Sequence, residues 1–192
     1  MNDFAFYFDL GWKHIISKDA LDHQLFIAVL AAIYLVPDWK QVLVLITAFT
    51  IGHSLTLILS SYNIIQFSNK WVEFLIPLTI VITAMINFFR KSFQSGSFKL
   101  QYILAFIFGL VHGLGFANTI RFMLAENETI AIPLFSFNLG LEVGQVLVVV
   151  IILLLSYLFV NIFALRQKWW ALSISSIALF SSIYLCMLHL PF

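Results

Sequence analysis

IPLFSFNLGLEVGQVLVVVIILLLSYLFVNIF, residues 132–163, contains a single charged side chain, Glu142. A helix needs about 20 mainly apolar residues to cross roughly 30 Å of hydrocarbon. This stretch is longer than that, so it predicts a transmembrane helix that is tilted or extends beyond the bilayer.

Similar apolar stretches lie on both sides of this one, separated by turns that carry Pro, Asn, Gly or charged residues. The predicted spans are 22–37, 40–60, 71–89, 99–120, 132–163 and 169–188. Backbone polar groups cannot stay unpaired in lipid, so each span is predicted to be a helix. The sequence therefore predicts an all-α membrane protein, a bundle of about six transmembrane helices that forms a single domain over residues 1–192. Residues 1–21, aromatic with scattered charges, are expected to form a short outer interfacial segment before the helical bundle at 22–188.

The composition agrees with a chain whose solvent is lipid. Hydrophobic residues make up 62% of it and charged residues 10%, whereas soluble domains carry roughly 25% charged residues. A net charge of +1 argues against a nucleic-acid partner, which needs a concentrated basic patch. The single cysteine, Cys186, excludes an intramolecular disulfide and a multi-cysteine metal cluster.

The basic residues predict the orientation of the chain. Six spans place both termini on one side, and six Lys and Arg fall on the opposite side against four on the terminal side. The positive-inside rule then puts the termini outside a multi-pass protein of the inner (cytoplasmic) membrane. Of the acidic residues, Asp38 alone falls on the cytoplasmic side, so the outer face is expected to attract cations.

Polar side chains recur in the outer halves of four predicted spans, at similar depth. They are Asp22, His23, His53, His112, Asn138, Glu142 and Gln145. The last three have the spacing i, i+4, i+7 and so share one helix face. Ionisable groups inside a membrane are costly, and each one therefore suggests a function.

Imidazole and carboxylate together suit a divalent transition metal such as nickel or zinc. The predicted metal ligands are His14, Asp22, His23, His53, His112 and Glu142. Ser54, Asn138 and Gln145 are expected to hold the imidazoles in place by hydrogen bonds.

Simpler structural roles stand beside this interpretation. A membrane histidine also serves as a hydrogen-bond partner between helices, and Asp22 also fits a helix cap. Glu73 and His189 are typical of residues at the membrane interface, and Asn87 of helix packing.

Five stretches carry a family resemblance over essentially the whole chain. They are GWKHI (11–15), LDHQLF (21–26), FTIGHSLTL (49–57), FGLVHGLGFA (108–117) and FNLGLEVGQ (137–145). The chain resembles the HupE/UreJ family, small membrane proteins associated with hydrogenase and urease gene clusters, and in particular its second type. The resemblance implies a permease for nickel or a related metal, with the histidines and acids of these motifs handling the ion.

The leading hypothesis is therefore a permease that captures a divalent cation from outside. The alternative is an intramembrane zinc-dependent hydrolase acting on a lipid, acyl or peptide substrate, with Glu142 or Asp22 as general base. A structural or accessory subunit is a third interpretation. The expected partners are membrane lipid and the metal ion, with a homo-oligomer and metalloenzyme-maturation proteins as further candidates.

The orientation can be tested by cysteine labelling in a Cys186→Ala background. A cysteine at Asn127 should react with an impermeant thiol reagent added outside intact cells, and one at Gly96 should not. The opposite labelling pattern would place the polar layer on the cytoplasmic side.

Overall fold

Helices make up nearly all of the computed structural model, which describes residues 3–90, 99–123 and 130–191. The helices are α1 (Asp3–Ile16), α2 (Leu21–Ala31), α3 (Trp39–Ser61), α4 (Asn69–Phe88), α5 (Lys99–Met123), α6 (Ala131–Ser156) and α7 (Gln167–Leu188). Short 3₁₀ turns precede α2 and α3, and α6 continues as a π-helical turn over Tyr157–Ile162. No strand occurs in these ranges, so the all-α prediction is confirmed for them.

Five helices within the described ranges are long and apolar enough to cross a membrane: Val36–Ser61, Asn69–Phe88, Lys99–Phe116, Ala131–Ile162 and Gln167–Leu188. The first predicted span, 22–37, is not among them. Its helix is α2, which has 11 residues and rises only about 16 Å, and Pro37 lies in the following 3₁₀ turn. The labelling positions Asn127 and Gly96 lie outside the described residues.

Two helix pairs pack in parallel through glycines. Between α3 and α5, a Cβ on Gly109 would collide with the backbone of Phe49, and one on Gly113 with the backbone of His53. Between α1 and α6, a Cβ on Gly140 would collide with the carbonyl of Phe8. Small residues of this kind let membrane helices approach until their backbones touch.

Helix α1, which lies in the segment expected at the membrane interface, packs along α6. Gly140 meets Phe8 and Gly144 meets Ile15, so residue numbers rise together and α1 lies along α6 rather than across the end of the bundle. An aromatic, partly charged segment suggests an interface, but the glycines on both helices allow a close contact that local composition does not reveal.

Helix α4 runs antiparallel to α7 and in the same direction as α2. Asn87 donates hydrogen bonds to the Val29 carbonyl (2.9 Å) and to Ser175 Oγ (3.0 Å), which agrees with its predicted packing role. At the other end of α4, Glu73 lies 3.4 Å from His189, just after α7.

The directions of α1 and α2 follow from their neighbours. α4 runs antiparallel to α5, since Thr79 meets His112 and Ile76 meets Gly115. α6 runs antiparallel to α3, the parallel partner of α5, since Phe137 meets His53 and Glu142 meets Thr47. Helices α4 and α6 therefore share a direction, and so do α1 and α2, with a break at residues 17–20 between them.

The glycine contacts predict a stability difference between two substitutions. Gly140→Ala places a Cβ against the Phe8 carbonyl, whereas Gly115→Ala meets only the end of the Ile76 side chain, at 2.9 Å. We expect Gly140→Ala to cost about 1–3 kcal/mol and to lower Tm in detergent, and Gly115→Ala to change it little. Equal Tm values for the two variants would contradict this account of the α1–α6 contact.

Candidate metal centre

Four imidazoles converge inside the bundle, each from a different helix: His14 from the end of α1, His23 from α2, His53 from α3 and His112 from α5. The His23 ring centroid lies 4.7 Å from that of His14 and 4.8 Å from that of His112. One nitrogen from each of His14, His23 and His53 lies within 4.8 Å of the others. Nitrogens that share a tetrahedral metal lie about 3.4 Å apart, given bonds of about 2.0–2.1 Å, so small ring movements would close this group around an ion.

Backbone packing places these rings. Gly52 directly precedes His53, and Gly113, which follows His112, touches the His53 backbone. On α1, Gly11 packs on the Phe137 carbonyl one turn before His14. The glycines remove the side chains that would hold the helices apart, and the histidines beside them are thereby turned inward.

Several imidazole nitrogens are buried without a hydrogen-bond partner. His53 and His112 are 0% exposed and His23 is 3% exposed. The unpartnered atoms are Nε2 of His14, Nε2 of His23, both ring nitrogens of His53 and Nδ1 of His112. A buried polar group without a partner costs about 1–3 kcal/mol. Each neutral ring offers one nitrogen lone pair. A divalent cation that bound one lone pair from each ring would remove the cost at those nitrogens, so the group fits a metal.

Hydrogen bonds select the tautomer of two of these rings. His23 Nδ1 lies 3.0 Å from Asp22 Oδ1; since a carboxylate only accepts, Nδ1 carries the proton and the Nε2 lone pair is free. Thr79 donates its hydroxyl proton to the Ile76 carbonyl (2.7 Å) and lies 3.2 Å from His112 Nε2. It therefore accepts from that nitrogen, which leaves the Nδ1 lone pair free.

Aromatic rings and one cavity surround the cluster. Phe116 packs on His14 with centroids 4.4 Å apart, Phe49 on His112 at 5.1 Å and Phe137 on His53 at 6.2 Å. A cavity of about 200 Å³ reaches His14, His23 and His112, and Asp19 and Glu73 also line it. The cluster is thus enclosed by apolar rings and connects to the end of the bundle where Glu73 and His189 lie.

Glu142 does not join the imidazoles. Its Oε1 accepts a hydrogen bond from Thr47 Oγ1 at 2.7 Å, and Thr47 lies six residues before His53 on α3, about 9 Å along the helix axis. Helix α6 crosses α3 in a register that differs from the expected one, so that the Phe137 ring, and not Glu142, faces His53. Glu142 is half-buried and Thr47 is exposed on the surface of the chain.

The residues expected to orient the imidazoles bond elsewhere. Ser54 donates to the Thr50 carbonyl (2.7 Å), Asn138 to the Leu134 carbonyl (2.8 Å), and Gln145 Oε1 accepts from Thr50 (2.9 Å). Asp22 and Thr79 perform that role instead. Thr79 lies in an apolar span with no local sign of such a contact, and only the packing of α4 on α5 reveals it.

The comparisons with known proteins identify the family. A family model described as HupE / UreJ protein matches residues 1–188. The chain belongs to the HupE/UreJ family. The family is known for nickel/cobalt transporter-like membrane proteins. The predicted resemblance is confirmed. Four of its five motif stretches each supply one histidine of the cluster. No curated protein and no solved structure matches the chain.

The cluster predicts metal-dependent stability. Ni²⁺ or Zn²⁺ at about 100 times its Kd should stabilise the wild type by about 2.7 kcal/mol, seen as a rise in Tm. His53→Gln should abolish the rise, whereas Ser54→Ala, one residue away and bonded only to α3, should keep it. Asp22→Asn should weaken metal affinity about 10–100-fold, because it loosens the proton on His23 Nδ1. A full metal response in His53→Gln would show that the imidazoles serve packing alone.

Proposed function

We propose that this protein is a permease for a divalent transition metal, nickel by preference, and that its four imidazoles bind the ion inside the bundle. The observation that supports this most strongly is the set of buried, unpartnered imidazole nitrogens around the break between α1 and α2. Family membership supports the same function.

The break itself favours transport. Helices α1 and α2 run in the same direction, with 14 and 11 residues, and rise about 21 Å and about 16 Å. Together they are long enough for one crossing, and His14 and His23 flank the interruption. Transporters commonly bind their ions where such a discontinuous helix opens within the membrane. We count this interrupted pair as the sixth crossing.

The ligands of the proposed site are mostly neutral, which suits a bound ion that must later be released. Imidazoles bind nickel and zinc well, but neutral rings supply no charge, and Asp22 is the carboxylate in direct contact with the cluster. Two positive charges are then only partly neutralised. Conduction requires binding strong enough for uptake and weak enough for release.

Polar residues continue from the cluster along α3 and α6. His53, Thr50 and Thr47 follow one another at i−3 spacing, about 4.5 Å apart along the helix axis. Thr50 is bonded to Gln145, whose Nε2 is buried without a partner, and Thr47 is bonded to Glu142. We assign Glu142 to this release path rather than to the imidazole cluster.

An intramembrane metal-dependent hydrolase is the second candidate, and the cavity that reaches three of the imidazoles, with room for a substrate group or water, is the observation that favours it. Three imidazoles can hold zinc and leave a position for an activated water. In that case Asp22 is the general base, because Glu142 is bonded to Thr47, away from the imidazoles.

Reconstituted vesicles decide between these functions. We expect Ni²⁺ flux into vesicles that contain the wild type. At limiting Ni²⁺, the flux through His53→Gln should fall at least about tenfold, because even the loss of a residue that only orients a metal ligand lowers affinity or activity by that factor. The Ser54→Ala variant is the control and should match the wild type. Absence of flux, with one tightly retained metal per chain, would contradict the permease and favour the hydrolase.

A further inference from the structure

A second cavity, of about 350 Å³, lies beside the metal centre. Its polar lining comprises Lys18, Asp19, Asp22, Glu73 and His189. Asp19, Asp22 and Glu73 also line the smaller cavity that reaches the imidazoles. The two cavities therefore share one wall of carboxylates.

Glu73 and His189 have the separation expected of ligands that share an ion. Glu73 Oε2 lies 3.4 Å from His189 Nδ1, within ion-pair distance, and two ligands of a tetrahedral metal have the same spacing, roughly 3.4 Å. Their side chains are 57% and 40% exposed, so an ion bound between them keeps part of its water. A hydrated divalent cation suits carboxylate and water ligands.

We propose that Asp19, Glu73 and His189 form an access station, which takes a hydrated divalent transition-metal ion and passes it along Asp22 to the imidazoles. This inference rests on the proposed permease function. Its second support is the pair of buried, unpartnered nitrogens, Nε2 of His14 and Nε2 of His23, in the adjoining cavity that Asp19 and Glu73 also line.

The order of ligands explains how the ion loses its water. At the station, carboxylates attract the ion while it remains hydrated. Asp19, Asp22 and Glu73 outnumber Lys18 in the lining, and a cleft of net negative charge raises the local cation concentration by about 10–10³-fold. Deeper in the cavity, the imidazoles replace the remaining water. The station therefore binds weakly and exchanges quickly, whereas the imidazole cluster binds more tightly.

The test is Ni²⁺ titration of the purified full-length protein by calorimetry, together with Ni²⁺ uptake by vesicles. The wild type should bind with one tight and one weak class of site. Glu73→Gln and His189→Gln should each lose the weak class and keep the tight one. Uptake by Glu73→Gln at limiting Ni²⁺ should fall about tenfold, with an unchanged rate at saturating Ni²⁺.

Asp9→Asn is the matched control, because it removes the same charge from an exposed carboxylate that pairs with Lys13 and lines neither cavity. Equal loss of uptake in Asp9→Asn would overturn the station in favour of a general surface-charge effect.

Loss of the tight class of site in Glu73→Gln would overturn the station as a site separate from the imidazoles. Normal uptake in Glu73→Gln, with uptake abolished in His53→Gln, would overturn the station and leave the permease intact. A wild type that binds no Ni²⁺ would overturn both.

Discussion

Direct contact between helix backbones at glycines is the constraint on which the imidazole cluster depends. Gly109 and Gly113 bring α5 onto the backbone of α3, and Gly11 and Gly140 bring α1 onto α6. Lipid offers no hydrophobic force between helices, so close packing of small residues supplies much of their attraction. Because His53 and His112 stand beside these glycines, the same contacts that hold the helices together set the spacing of the imidazoles.

The interior between these helices contains buried polar atoms that have no hydrogen-bond partner. Most buried polar atoms in proteins are hydrogen-bonded, yet His53 has two buried ring nitrogens without a partner. Asp22 and Thr79 accept the ring N–H protons of His23 and His112, so the other nitrogen of each ring keeps its lone pair. Burying these nitrogens without partners lowers the stability of the fold but leaves their lone pairs free. Such a cost is expected of a binding site and not of helix packing alone.

The interruption between α1 and α2 gives the cluster its access. A continuous helix would present one face to the centre, whereas a break lets His14 and His23 approach from both sides of residues 17–20. It also turns Asp19 and Asp22 toward Glu73 on α4, so both cavities share carboxylates. The placement of His14, His23, Asp19 and Asp22 thus depends on one irregular segment, which lies between α1, packed on α6, and α2, packed beside α4.

The sequence by itself determined the helical membrane class and the family, and it singled out His14, His23, His53 and His112 as candidate ligands, since apolar length and rare ionisable residues are local properties. Tertiary structure decided which polar groups meet. Spacing put Glu142 on a face with Asn138 and Gln145, but the crossing of α6 over α3 paired it with Thr47. Thr79, Glu73 and His189 gained their partners from helices distant in the chain. Hydropathy also merged residues 22–37 into one span, because it measures how apolar a stretch is and not whether its helix is continuous.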